Sequence, residues 1–273
     1  MRGCRGKARG RIAELDAGAG LFERARAGAE AALALLRACA AQIGEPPALA
    51  ADIADAEMRL GALELDDGQA SSCLRRLNEA IGRFEALAVS EPEEPHWRAV
   101  LSDAWALAAE AELARGDHAL ARKAMDKALQ ARMRPAVNRP EEAWALAGLW
   151  RTRAALLAAM ADPEGASTAL QQARALAETL SAKGGGSAKR FLLHTMLDQA
   201  DHGLRTGALA FAAETAEAAR ALAEHFVHQP EADPAEQAEM LSLGCMAVLD
   251  QSLPTATLEG VFEAAVARRR PRD

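Results

Sequence analysis

The sequence has 273 residues, of which 50% are hydrophobic, 26% are charged and only 4% are aromatic, with no tyrosine. This composition excludes an intrinsically disordered chain, and the scarcity of aromatic side chains favours a thin core of close-packed helices over a thick central core. The net charge is −7, but the two termini carry five and three net positive charges, which leaves about −15 on residues 12–267 and argues against binding of nucleic acid or anionic lipid there.

Strong helix breakers divide the chain into intervals of similar length. They are GEPP at 44–47, EPEEP at 91–95, PAVNRP at 135–140, KGGGS at 183–187 and QPEADP at 229–234. Proline cannot continue a helix and glycine weakens one, so each cluster is expected to end a helical segment. The intervals of roughly 40 residues are too long for one ordinary helix and fit two.

A weaker break lies in the middle of each interval. In chain order these breaks are Gly20, Gly68, Gly116, ADPEG at 161–165, Gly207 and QSLP at 251–254. Asp117 and Asp162 are expected to cap the helices that follow them, and Pro163 suits a first helical position. The sequence therefore predicts six antiparallel helix pairs in a single domain over residues 1–273, with a basic C-terminal tail at 268–273. The predicted repeats cover about 1–45, 46–93, 94–138, 139–186, 187–231 and 232–268.

Small residues recur at fixed distances from these breaks. Five and twelve positions after five of the breaks stand Ala25 and Ala32, Cys73 and Ala80, Ala121 and Ala128, Ala166 and Ala173, and Ala212 and Ala219. Eleven positions before four of them stand the large residues Trp105, Trp150, Met196 and Met240. Four positions after each large residue comes a small one, at Ala109, Ala154, Ala200 and Gly244, with Gly61 at the matching position of the second repeat.

The physical reason for this spacing is close helix packing. Residues seven apart lie on nearly one face of a helix, so small side chains there let the two helices of a pair approach each other. The large residue is expected to fill the wedge between one pair and the next. A thin helix pair leaves one apolar face unburied, and it is therefore expected to stack on its neighbour.

At these residues the chain resembles the tetratricopeptide repeat (TPR) superfamily. The resemblance is carried by Trp105, Ala109, the Gly116-Asp117 turn, Ala121 and Ala128, and it extends from about residue 5 to residue 225. The family spacing is about 34 residues, whereas the breaks here advance by about 44–48, which indicates a long-helix variant. In the last repeat Gln251 and Glu263 replace the turn glycine and the second alanine, as in a capping repeat. The fold class implied is an all-α, TPR-like α-solenoid of about six helix hairpins.

The resemblance also implies a binding surface. First helices of TPR arrays line a concave groove that binds extended peptides or helices. Carrying the groove positions over gives Lys7, Arg11, Glu14, Asp55, Met58, Arg59, Leu65, Asp66, Asp103, Leu107, Glu110, Leu113, Arg151, Thr152, His194, Leu197, Asp198, Asp201, Leu204, Arg205, Leu241, Ser242 and Cys245. The charged candidates for partner binding are Arg59, Asp103, Glu110, Arg151, Asp198, Asp201 and Arg205. Both signs alternate with leucines, which suits a mixed amphipathic partner.

Specialised chemistry has little support in the sequence. TPR domains that clamp chaperone C-termini use lysine and asparagine, but the asparagines here, Asn78 and Asn138, fall outside the predicted groove face. No phosphate-binding glycine loop, nucleophile elbow or H-E-x-x-H motif occurs, so neither an enzyme nor a cofactor is expected. His194, Asp198 and His202 stand at four-residue steps on one predicted helix and form the metal-binding alternative.

The cysteines and termini complete the expectations. Cys4, Cys39, Cys73 and Cys245 are widely spaced and indicate neither a disulfide framework nor a zinc knuckle. No run reaches the ~18 apolar residues of a membrane span, and the basic N-terminus lacks a signal-peptide core, so we expect a cytoplasmic protein. The chain's own end face, with Leu253, Leu258, Val261 and Phe262, is a candidate for self-association.

These patterns predict a non-catalytic scaffold or adaptor that binds a peptide or helix of another protein. Two alternatives stay open beside the metal-dependent one. The chain could be a sensor or regulatory segment of a larger signalling protein, since such arrays occur attached to kinases and signalling ATPases. Its basic termini could also bind nucleic acid, and that binding would collapse with added salt.

Overall fold

The computed structural model describes residues 22–136, 140–183 and 186–227, and every regular element in these segments is an α-helix. Within these segments nine helices follow one another: α1 Phe22–Ile43, α2 Pro47–Asp66, α3 Ala70–Ser90, α4 Pro95–Ala114, α5 His118–Ala136, α6 Pro140–Ala159, α7 Pro163–Lys183, α8 Gly186–Thr206 and α9 Leu209–Val227. They comprise four complete antiparallel pairs, α2–α3, α4–α5, α6–α7 and α8–α9, and the second helix of a preceding pair. The predicted first helix of repeat one and all of repeat six lie outside the described residues.

The helices begin and end at the predicted breakers. Helix α1 ends just before Gly44, whose φ is +81°, and prolines occupy the first position of α2, α4, α6 and α7. A first-turn N–H has no partner within the helix, so proline loses nothing there, and its fixed φ suits the helix. The caps predicted in the α4–α5 and α6–α7 pairs are also confirmed. Asp117 Oδ1 accepts from the N–H of Leu120 at 3.1 Å, and Asp162 Oδ1 accepts from the N–H of Gly165 at 2.9 Å.

The turn inside each complete pair has one repeated geometry. Gly68, Gly116 and Gly207 have φ of +74°, +80° and +77°, and in the turn between α6 and α7 the equivalent residue is Ala161, with φ +57°. In all four turns the N–H of the next residue donates to the carbonyl five residues earlier, over 2.7 Å from Gln69 to Glu64, 2.9 Å from Asp117 to Glu112, 2.9 Å from Asp162 to Leu157 and 2.8 Å from Ala208 to Gly203. This is the Schellman arrangement, which needs a left-handed residue at the turn.

The chain separates into two compact units, of which the first ends at Glu142 and the second begins at Ala143. In the first unit α1 packs on α2, α2 on α3, α3 on α4 and α4 on α5, and the first helices α2 and α4 also touch. In the second unit α7 packs on α8 and α8 on α9, while Ala154 and Leu157 of α6 share a buried cluster with Ala166 and Leu170 of α7. Within each unit the helices thus pack chiefly on their neighbours along the chain, as in a stack of hairpins.

The small residues that set the repeat are buried as predicted. Ala25, Cys73, Ala80, Ala121, Ala128, Ala166, Ala173, Ala212 and Ala219 are fully inaccessible, and Ala32 is almost so. A Cβ added at Gly61 would come 3.5 Å from Leu77 Cγ and 3.6 Å from Cys73 Sγ, so α2 and α3 are already in van der Waals contact there. The thin core therefore follows from side-chain size at fixed positions.

The large residues before the turns behave less uniformly. Met196 is buried in a cluster that runs from Ala177 of α7 to Ala223 of α9, so it does pack between neighbouring hairpins. Trp150 is half-buried against the α6–α7 cluster of its own hairpin, and the Lys127 ammonium lies 3.7 Å from the centre of the Trp105 ring. The contacts found for both tryptophans thus lie within their own helix pair, and Met240 lies outside the described residues.

None of the described helices combines the length and the apolarity that crossing a bilayer requires.

Candidate binding surface

The predicted groove residues lie on the first helices of the pairs, α2 and α4 in the first unit and α6 and α8 in the second. None of those in the described segments is buried: Asp66, Asp103, Glu110 and Arg205 are exposed, and the rest are half-buried. The half-buried leucines among them are Leu65, Leu107, Leu113, Leu197 and Leu204. Lys7, Arg11, Glu14, Leu241, Ser242 and Cys245 fall outside the described residues, as do the termini and the end-face candidates Leu253, Leu258, Val261 and Phe262.

Arg59 is held on its own helix. Its Nη2 donates to Asp55 Oδ2 at 2.8 Å, one turn away on α2. Burial lowers the pKa of Arg59, and burial followed by the charge of Asp52 raises the pKa of Asp55, while nearby His96 acts in the opposite direction. Both charges are therefore partly desolvated in the free protein, although the pair is still accessible.

Asp103 is paired with a side chain that the sequence analysis missed. Arg132 of α5 is only 4% exposed, and its guanidinium binds Asp103, donates to Glu142 Oε2 at 2.6 Å and donates to the carbonyl oxygen of Ala99 at 3.0 Å. Burial raises the pKa of Asp103, and this effect outweighs the opposing one of the Arg132 charge and hydrogen bond. Asp103 is therefore committed to an internal ion pair that fixes α4 against α5.

Glu110 has a different environment. No hydrogen bond or ion pair joins it to a cation of the described segments, and the same holds for Asp66. Burial, followed by the negative charge of Asp66, raises the pKa of Glu110. The two carboxylates thus lie close enough to repel each other across the contact between α2 and α4.

In the second unit the predicted charges pair with one another. Arg151 Nε donates to Asp198 Oδ2 at 2.6 Å and so joins α6 to α8. The Arg151 guanidinium also lies 5.3 Å from the centre of the Phe191 ring, whose edge meets Trp144 at a centroid distance of 5.0 Å. Arg205 and Asp201, one turn apart on α8, form a more exposed pair at 2.7 Å. The structure thus brings four of the seven charged candidates together in two internal pairs.

The metal-binding alternative gains no support from the geometry. Within residues 22–136, 140–183 and 186–227, no three histidine, cysteine, aspartate or glutamate side chains converge in a way that could hold a metal ion. His194, Asp198 and His202 share one helix but do not form such a group, and Asp198 points its carboxylate to Arg151.

A buried ionic cluster in the first unit was also missed from the sequence. Glu57 and Glu64 of α2 are 0% and 2% exposed. Arg76 of α3 donates to Glu64 Oε1 at 2.7 Å and to Glu57 Oε2 at 3.1 Å, and Arg37 of α1 binds Glu57 and reaches Glu79 Oε2 at 2.8 Å. The cluster joins three consecutive helices. The available signal was the seven-residue spacing of the two glutamates, which puts them on one face of α2.

No protein-family model matches the chain, and no curated protein matches it in sequence. Solved structures do match. The apo form of RapI is similar with a TM-score of 0.65 and 11% identity, over 96% of this chain and 84% of that one. BtubC (BKLC) from P. vanneervenii has a TM-score of 0.62 and 17% identity, over 92% of this chain and 94% of that one. The nearly identical TPR-like repeats of a kinesin light chain from Podosopora anserina give 0.62 and 17%, over 84% and 99%.

These likenesses establish the fold. The protein is an all-α, TPR-like solenoid of sequential antiparallel helix pairs, as the sequence predicts. TPR-like repeat proteins commonly bind other proteins and are typically not catalysts.

Proposed function

We propose that the protein is a non-catalytic scaffold or adaptor that binds a peptide or helix of another protein on the exposed face of its first helices. One observation carries this proposal. The groove positions in α2, α4, α6 and α8 are all accessible, while the small residues of the second helices are buried against them. Accessible leucines between charges of both signs offer a partner apolar contact area, and the charges set its register.

The proposed contact residues are Arg59, Asp103, Glu110, Arg151, Asp198, Asp201 and Arg205. Six of the seven already have an internal partner, which supports a specific role for them. A charge held by a neighbouring side chain is pre-oriented, so a partner gains hydrogen bonds from it without first ordering a flexible side chain. Leu107 and Leu197 lie beside these charges on α4 and α8 and supply the apolar part of the surface.

The finer features of the architecture belong to the same proposal. We infer a long-helix TPR variant whose repeat advances by about 44–48 residues, in one domain over residues 1–273, with a cytoplasmic location. Helices of 19 to 22 residues support the long repeat, and the free thiols of Cys39 and Cys73 fit a reducing compartment. A role as the sensor segment of a larger signalling protein uses the same surface and is the second candidate.

Affinity purification followed by mass spectrometry tests this function. The test variant is Asp198→Asn with Arg205→Gln, which removes one charge of each sign from α8 and leaves the net charge unchanged. The matched control is Arg75→Gln with Glu85→Gln, because both side chains are exposed on the second helix α3 and the net charge is again unchanged. Both variants are expected to keep the helical content of the wild type by circular dichroism.

The wild type and the control are expected to recover the same partner, and the α8 variant is expected to lose most of it. Equal recovery by all three proteins would contradict binding through this face. The absence of any partner enriched by the wild type would contradict the adaptor function itself.

A further inference from the structure

In the first unit, charge is unevenly divided between the first helices and the second helices of the pairs. The first helices α2 and α4 together carry two arginines, Arg59 and Arg98, and eight acidic side chains: Asp52, Asp55, Glu57, Glu64, Asp66, Asp103, Glu110 and Glu112. The second helices α1, α3 and α5 carry five acidic and eleven basic side chains. The first helices α6 and α8 do not repeat this bias, since they carry four acidic and five basic ones. Among the first helices, an excess of negative charge is therefore confined to α2 and α4.

Most of these acidic side chains are neutralised inside the unit. Arg76 binds Glu57 and Glu64, Arg132 binds Asp103, Arg59 binds Asp55, and Arg115 lies 3.3 Å from Glu112. Asp66 and Glu110 differ, because no cation of the described segments contacts either one. The pairs of Arg76 and Arg132 join neighbouring helices, and those of Arg59 and Arg115 are made within one turn of the chain. Asp66 and Glu110, in contrast, leave their charge at the surface.

The position of the two carboxylates strengthens their negative potential. Asp66 is the last residue of α2, and Glu110 lies in the last turns of α4, which ends at Ala114. Because α2 and α4 are both first helices of antiparallel pairs, they run in the same direction and present their C-terminal ends on the same side. The C-terminal end of a helix carries a partial negative charge, so both helix ends add to the two carboxylates. Burial first, and then the negative charge of Asp66, raises the pKa of Glu110.

Apolar area lies directly beside the charges. Leu65 precedes Asp66 on α2, Leu113 follows Glu110 by three residues on α4, and both leucines are half-buried. We call the surface formed by Leu65, Asp66, Glu110 and Leu113 the acidic end of the first unit. A cation placed there would relieve the repulsion, and its alkyl stem would cover the leucines.

We propose that the acidic end binds a basic segment of the partner protein, with a lysine or arginine between Asp66 and Glu110 and an apolar residue against Leu65 and Leu113. This inference rests on the proposed function and adds the chemistry of the partner to it. The net negative charge of the body attracts such a segment over long range, so association is faster at low salt.

Selection of phage-displayed random peptides on the immobilised full-length chain tests the proposal without knowledge of the partner. The selected peptides are expected to be enriched in lysine and arginine interspersed with leucine. Their affinity, measured by fluorescence anisotropy, is expected to fall about tenfold for Asp66→Asn with Glu110→Gln, the effect of removing two accessible cation–carboxylate pairs. The matched control is Glu85→Gln with Glu93→Gln, which removes two exposed acids away from this end and is expected to leave the affinity unchanged.

Each other outcome is decisive. Selected peptides that are neutral or acidic, yet lose affinity when Leu107 is replaced by serine, would overturn the basic partner and leave the adaptor function standing. No enrichment of any peptide would count against both. The chain's own basic termini are a competing occupant, tested by replacing Arg2, Arg5, Arg268, Arg269 and Arg270 with serine in the full-length chain. Unchanged peptide affinity supports a separate partner, whereas a marked increase would assign the acidic end to the protein's own terminus.

Discussion

The turn at Ala161 offers a direct test of the repeat in free-energy terms. At the equivalent position the other three described turns have glycine, and all four turns make the same five-residue backward hydrogen bond. An alanine in the left-handed region costs about 1–2 kcal/mol, because its Cβ approaches the following carbonyl oxygen. Glycine removes that cost, but it raises the entropy of the unfolded chain by an amount worth about 0.5–1 kcal/mol.

The difference predicts that Ala161→Gly stabilises the fold by about 0.5–1 kcal/mol, since Ala161 is exposed and no packing contact is lost. Urea unfolding followed by circular dichroism measures the change, and the midpoint is expected to rise at constant slope. The reciprocal control is Gly116→Ala. No atom lies within 4 Å of the added Cβ there, so the expected loss of about 1 kcal/mol is purely conformational. If Ala161→Gly lowered stability, as glycine does inside a helix, the assignment of Ala161 as the turn residue between α6 and α7 would be refuted.

Three further predictions concern buried and titrating groups. Arg132→Met leaves Asp103, Glu142 and the Ala99 carbonyl without their donor, and we expect a loss of about 2–3 kcal/mol in urea unfolding, against under about 0.5 kcal/mol for the exposed Arg75→Gln. The pKa of Glu110 is raised on folding, so the folded state binds the Glu110 proton more tightly than the unfolded state does. Ionised Glu110 therefore destabilises the fold once the pH rises above the pKa that this group has in the unfolded chain. Glu110→Gln should therefore melt higher than the wild type at neutral pH and equally in acid; a difference that does not depend on pH would refute this. Burial first, and then the charges of Glu64 and Glu110, raise the pKa of Cys73 to about 12. In a Cys4→Ser, Cys39→Ser, Cys245→Ser variant, Cys73 should react with a thiol reagent only at the rate of unfolding, and fast labelling of the native protein would contradict its burial.

The turns and helix contacts could be predicted from the sequence because their causes are local. Pro47 and Pro95 act on the residues next to them, Gly68 and Gly116 supply a backbone conformation, and the alanines leave room at a fixed helical interval. None of these effects depends on which helix comes to lie opposite. The same local logic places Asp117 and Asp162 at helix starts, where the structure has them.

The charge partners could not be predicted because they come from distant parts of the chain. Asp103 meets Arg132 from the next helix, and Arg151 meets Asp198 from the next hairpin, 47 residues away. Charged residues are expected at the surface, so the burial of Glu57 could not be predicted before its arginine partners, Arg37 and Arg76, were known. The sequence shows the excess of acidic residues in α2 and α4, but only the ion pairs show which carboxylates have no cationic partner in the described segments.

The central claim is that the first-helix face meets another protein, and site-specific photocrosslinking in living cells tests it most directly. A benzophenone side chain replaces Leu107 or Leu197 on first helices, and Glu85 or Gln171 on second helices serves as the control, since both are exposed. We predict covalent adducts to one and the same protein from the two first-helix positions and none from the second-helix positions. Adducts formed only from Glu85 or Gln171 would contradict the claim.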